Sequence, residues 1–119
     1  MINFIIKRIK SVGYAFKGVV LLVTTEASIK VQLFLGIFIT IAGFYYNISS
    51  TEWMIQILII GLVMSVEGLN TAVEKMADFI HPDHNDKIGF IKDIAAGAVF
   101  ISAIIAVIVG CIIYLPKIF

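Results

Sequence analysis

Three apolar stretches, each close to the length of a membrane crossing, leave this chain few folds to choose from. A helix crossing a hydrocarbon core of ~30 Å needs about 20 apolar residues, with some tolerance for fewer. Lipid offers the backbone no hydrogen-bond partners, so each stretch must satisfy its own, which a helix does. The first span is expected at about 31–46 ("VQLFLGIFITIAGFYY"), the second at about 53–74 and the third at about 94–115. Composition agrees, with 61% of residues hydrophobic and 14% charged; a water-soluble domain has roughly a half and a quarter. The fold class is therefore an all-α membrane protein, and 119 residues amount to a single domain.

Residues 1–28 are expected to form a further helix, lying on the membrane rather than crossing it. "MINFIIKRIKSVGYAFKG" sets basic residues among apolar ones, as an amphipathic interfacial helix does. It lacks the unbroken apolar core and small-residue cleavage site of a signal peptide. Lys7, Arg8, Lys10, Lys17 and Lys30 precede the first span, and Lys75, Lys87 and Lys92 lie between the second and third. The positive-inside rule then puts the N-terminus and the 75–93 segment in the cytoplasm and the 47–52 loop outside. Tyr45, Tyr46, Trp53 and Tyr114 gather at the outer boundary. The net charge of +1 gives no footprint for a nucleic acid. Cys111, the single cysteine, is expected to be a small packing residue in an apolar run. Ala98, Ser102, Ala106 and Gly110 recur every four residues, a stripe that suits close helix approach within or between chains.

Six of the eight acidic residues fall between Glu67 and Asp93. Glu67, Asn70, Thr71, Glu74 and Asp78 are spaced to lie on one helical face. Glu67 is 14 residues beyond Trp53, so it lies ~21 Å along the axis, inside the inner half of the core. Burying a carboxylate there is costly, which marks Glu67 as a functional candidate. Several carboxylates together call for a cation or a proton between them, and an oxygen-rich set suits Mg²⁺ with substrate phosphates. Glu26 is a further carboxylate. It either pairs with Lys30 on a helix surface or reaches the depth of Glu74 and shares a metal with it. "HPDHND" at 81–86 is expected to be a solvated turn broken by Pro82 rather than a transition-metal site. No standard phosphate loop is present.

Two other functions fit the same stripe. A non-enzymatic scaffold would use Glu67 and Asn70 only to fasten helices. A cation-conducting subunit would need the polar file to continue, yet between Trp53 and Val66 only Gln56 and Ser65 are polar.

"EGLNTAVEKMAD" at 67–78 resembles the ExxNxxxExxxD signature of the small prokaryotic integral-membrane diacylglycerol kinases, whose close relatives phosphorylate undecaprenol. The resemblance extends to "GYAFKG" at 13–18, "EASIK" at 26–30 and "KDIAAGA" at 92–98. The run from "HPDH" to "KDIAAGAV" and the terminal "LPKIF" look more like the undecaprenol-kinase branch. The family implies a homotrimer in the bacterial inner membrane, serving phospholipid or carrier-lipid metabolism, with ATP and Mg²⁺ at sites between neighbouring chains. By the resemblance, Glu67 is the general base toward the lipid hydroxyl and Asn70 the amide organising the carboxylates. Glu26 and Glu74 match the metal-binding carboxylates, and Lys92 and Asp93 the pair that contacts ATP. Lys7, Tyr14, Asp83, His84 and Asn85 match further nucleotide-contacting positions. Lys7 stands where some members have arginine, and Gln32 where some have glutamate.

Overall fold

The computed structural model describes residues 1–119 and contains four helices and no strands. They are α1 (Ile2–Thr25), α2 (Ala27–Tyr45), α3 (Ser50–Ile80) and α4 (Asp86–Ile118). α2, α3 and α4 are long and apolar enough to cross a membrane. α3 and α4 share the longest interface, α2 packs on α3 more sparsely, and α1 meets α2 beside their junction. The molecule measures 50 × 48 × 23 Å. At 1.5 Å per residue α4 accounts for about 50 Å. The second extent, 48 Å, far exceeds the width of three helices packed at about 8–10 Å spacing. α1 therefore projects sideways from the bundle, as an amphipathic surface helix should.

The boundaries depart from the expected ones for local reasons. α1 stops at Thr25 rather than near 28, because Glu26 is extended (φ −101°, ψ 118°). The hydroxyls of Thr24 and Thr25 bond back to the carbonyls of Val20 (2.7 Å) and Leu21 (2.5 Å), a competition that bends or ends helices. The chain re-enters a helix at once, with Lys30 N–H donating to the Glu26 carbonyl at 3.1 Å. α3 starts three residues before Trp53 because Ser49 and Glu52 form a reciprocal capping box, at 3.1 and 2.9 Å. It also runs on to Ile80, six residues past the expected end.

α4 begins eight residues before Ile94. Asn85 caps it by accepting from Lys87 N–H (2.9 Å) and Ile88 N–H (3.3 Å). Its far end outlasts Pro116, since Lys117 reaches back to the Ile113 carbonyl (3.0 Å) and across to Glu52 on α3 (2.8 Å).

The α2–α3 hairpin turns on Asn47, whose φ of 52° is left-handed, a conformation asparagine tolerates. Beside it lies the buried core of Ile48, Ile113 and Tyr114, flanked by Ile39 and Trp53. Gly43 is required here, because a Cβ would fall 2.6 Å from Trp53 Cη2. The small-residue stripe on α4 divides between two surroundings. Ser102 is buried and donates to the Val99 carbonyl, while Ala106 and Gly110 line a groove inside the bundle.

Candidate functional site

The site is built around α3, whose polar face carries Glu67, Asn70 and Thr71, all buried. The 3.6-residue period stacks Glu67, Asn70 and Glu74 on one side of the helix. Gln32 of α2 donates its Nε2 to Glu67 Oε2 at 3.4 Å, so two spans meet at the buried carboxylate. One turn along, Asn70 Nδ2 donates to Glu74 Oε1 at 3.2 Å. The carbonyl oxygens of both amides, Gln32 Oε1 and Asn70 Oδ1, are buried without a hydrogen-bond partner. Unpaired acceptors are rare inside proteins. Here two lie close together, one on each of the pairs Gln32–Glu67 and Asn70–Glu74.

Glu26 arrives from the α1–α2 junction. Its extended backbone takes the side chain off the α2 surface, and Oε1 lies 3.6 Å from Lys75 Nζ of α3, not beside Lys30. Lys75 adjoins Glu74, so Glu26 and Glu74 reach the same level of the bundle. Gly68 permits this approach, for a Cβ there would sit 3.1 Å from Leu22 Cδ1 of α1. Between α1 and α3 runs a cleft of about 560 Å³, lined by Gly18, Leu22, Glu26, Gly68, Thr71 and Lys75 among others. On the other flank Lys92 of α4 is paired with Asp78 at 2.5 Å.

The structure thus pairs Gln32 with Glu67 and Asn70 with Glu74 one turn apart on α3, and sets Glu26 against Lys75 and Lys92 against Asp78 on the following turns. It does not bring in the remaining expected residues. Lys7 and Tyr14 are exposed on α1 and do not line the cleft. Asp93 is exposed. In the turn, the His81 ring bonds the Asp83 carbonyl at 2.8 Å, and His84 lies 3.4 Å from Asp86. The Asn85 side chain is occupied as a helix cap. Sequence reading missed Lys75 and Gly68. Gly68 carried a signal, since glycine inside a helix costs about 1 kcal/mol and needs a reason to be there. Lys75 carried none until α1 folded against α3.

No three His, Cys, Asp or Glu side chains converge as a metal cluster within the chain. Glu26, Glu74 and the unpaired Asn70 Oδ1 are all oxygen donors. They fit a hard cation that takes one or two carboxylates and completes its shell with phosphates and water. At the opposite end of the bundle the polar residues serve packing. Tyr114 donates its hydroxyl to Gln56 Oε1 at 2.5 Å, and the Gln56 amide approaches the Ile39 carbonyl at 3.4 Å. Gln56 is thereby consumed in a clasp of three helices.

Fold and site together define a class: a helical membrane protein whose carboxylates and amides meet at one end of its spans, beside a surface helix. The family model for prokaryotic diacylglycerol kinase matches residues 13–114. The chain is 39% identical over 108 residues to an undecaprenol kinase of Bacillus subtilis (strain 168), covering 91% of this chain and 88% of the relative. It is 31% identical over 104 residues to a diacylglycerol kinase of Escherichia coli (strain K12), covering 87% and 85%. The chain belongs to the prokaryotic diacylglycerol kinase family. It is a lipid kinase, an enzyme that transfers a phosphoryl group to an alcohol.

Proposed function

We propose that this kinase uses ATP and Mg²⁺ to phosphorylate the primary hydroxyl of undecaprenol or diacylglycerol. Each chain is a single lipid-kinase domain in the bacterial inner membrane, with its N-terminus cytoplasmic. The observation that carries this reading is Glu67, a buried carboxylate held by Gln32 one turn from the Asn70–Glu74 pair. The greater identity to an undecaprenol kinase makes the polyprenol the first acceptor to test.

In the reaction the lipid oxygen attacks the γ-phosphorus, the bond to the β–γ bridging oxygen breaks, and ADP leaves. Glu67 takes the proton from the lipid hydroxyl, a contribution of about 10²–10⁴-fold. Phosphoryl transfer otherwise rests on positioning and charge stabilisation. Glu26 and Glu74, organised by Asn70, would hold Mg²⁺, which when bound offsets phosphate charge. Lys92 and Lys7 supply point charges to the phosphates, and Tyr14, Asp83, His84 and Asp93 contact the rest of the nucleotide. Asn85 positions its turn by capping α4 rather than by binding. Lys7 and Tyr14 lie outside their own chain's cleft, which supports a homotrimer whose sites are shared between neighbours.

The test is transfer of labelled γ-phosphate from ATP to undecaprenol and to diacylglycerol, offered separately in mixed micelles with and without Mg²⁺. Label in lipid, dependent on Mg²⁺ and lost in Glu67→Gln, is the expected result. A well-folded preparation that labels neither lipid would overturn the proposal.

A further inference from the structure

A cavity of about 310 Å³ lies between α2, α3 and α4, and the proposed chemistry makes no use of it. Its walls are apolar, and its two ends are polar. At the site end stands Gln32, which also donates to Glu67. At the hairpin end stand Gln56 and Tyr114, bonded to each other. The groove therefore adjoins the site at one end and runs to the Gln56–Tyr114 pair at the other.

Its size can be measured in two ways. Along α4 the lining runs from Ala103 to Tyr114, eleven residues or about 16 Å, which an extended hydrocarbon fills with about a dozen carbons. By volume, 310 Å³ holds about ten heavy atoms at the roughly 30 Å³ of a small group in a liquid. The length would admit about three isoprene units and the volume about two, so the volume sets the limit.

The wall is also notched. Ala103, Ala106 and Gly110 of α4 face the groove, spaced about 4.5–6 Å apart along the axis. A prenyl chain carries one methyl branch per four backbone carbons, about every 5 Å when extended. The hollow at Gly110 is open, since a Cβ there meets nothing within 4 Å. A straight acyl chain needs no such notches. Gln32 Oε1, buried and unpaired, is placed to accept from a hydroxyl at the head of such a chain. An apolar helix from a second copy would leave it unpaired.

We propose that this groove seats the first two isoprene units of a polyprenol acceptor, with Gln32 at the hydroxyl and the Gln56–Tyr114 pair as the floor. The proposal rests on the lipid-kinase reading and adds the means by which a prenyl tail is chosen over an acyl tail. A methyl that fits or clashes in a preformed pocket changes specificity by about 10–200-fold. The tail moves here from hydrocarbon to hydrocarbon, so the hydrophobic share is absent and about tenfold is expected.

The test compares kcat/KM for geraniol, farnesol and undecaprenol with straight-chain alcohols and diacylglycerol, in wild type, Gly110→Leu and Ala106→Leu. Cross-linking reports assembly of each variant. Wild type should prefer prenols about tenfold over straight chains of equal carbon number. Filling the groove should remove that preference in at least one assembled variant, with the KM for ATP unchanged. Equal losses for all acceptors, or an unchanged preference in both variants, would overturn the proposal. Loss of assembly with the preference intact would assign the groove to a second copy's helix. Wild type that labels no alcohol at all would instead defeat the kinase reading, whereas wild type that labels prenols and straight chains equally, with label lost in Glu67→Gln, defeats only this one.

Discussion

Replacing Gly43 by alanine should loosen the hairpin end of the bundle. The new methyl would stand 2.6 Å from Trp53 Cη2, 2.8 Å from Cζ2 and 3.2 Å from Ile48 Cδ1. Carbon atoms rest at about 3.5–4.0 Å, so about 1 Å must be found. An indole ring cannot bend to supply it, and the four residues between Tyr45 and Ser50 tie α2 to α3. Overpacking of this kind costs about 1–3 kcal/mol, while alanine in place of glycine returns up to about 1 kcal/mol of helix propensity. The net expectation is a loss of about 1–2 kcal/mol. Reversible SDS unfolding in mixed micelles would measure it, followed by far-UV circular dichroism and by the fluorescence of Trp53, the single tryptophan. In a Trp53→Leu background only the 3.2 Å contact with the flexible end of Ile48 remains, and Gly43→Ala should turn nearly neutral or stabilising. Gly43→Ala as stable as wild type, or equally costly in both backgrounds, would refute the packing argument.

Other substitutions probe the site and its supports. Tyr114→Phe removes the donor to buried Gln56 Oε1 and should cost about 1–3 kcal/mol in the same unfolding assay. Gly68→Leu would press on Leu22 and move α1 from α3; a displacement near 1 Å should lower lipid phosphorylation about a hundredfold with helix content retained. Asp78→Asn releases Lys92 from a part-exposed ion pair worth at most about 1 kcal/mol. If Lys92 serves the nucleotide, the KM for ATP should fall by up to about fivefold, read from initial rates.

The spans and the polar face of α3 were legible in the sequence because both are periodic. A run of apolar residues and a stripe at positions 67, 70, 71, 74 and 78 need no tertiary knowledge. The start of α3 was misplaced at Trp53 because the apolar run alone was followed, although "SSTE" holds the capping box at Ser49 and Glu52. The early end of α1 was harder. Glu26 breaks the helix without proline or glycine, through threonine hydroxyls turning back on the carbonyls before it. Pairings between elements could not be read at all. Glu26 with Lys75, Lys92 with Asp78 and Gln32 with Glu67 join residues far apart in the chain, and only the packed helices bring them together. Opposite charges were available in several combinations, and spacing left the local pair with Lys30, which does not form, as open as the contact across helices.

Buried polar groups separate the two ends of the bundle by what they leave unpaired. At the hairpin end Gln56, Tyr114 and the Ile39 carbonyl form a closed set, and Ser102 is satisfied within its own helix. At the site end Gln32 Oε1 and Asn70 Oδ1 are buried with no partner. Each such acceptor costs about 1–3 kcal/mol, so the pair takes up a large part of the 5–15 kcal/mol by which a domain is typically stable. A role limited to fastening helices would favour closing both bonds, as the hairpin end does. The two open acceptors flank the one carboxylate buried among the spans. On the proposed function they would accept groups the isolated chain does not contain: a hydroxyl at Gln32, and a cation or its water at Asn70. The unpaired atoms, more than the carboxylates themselves, distinguish a binding site from a helix clasp.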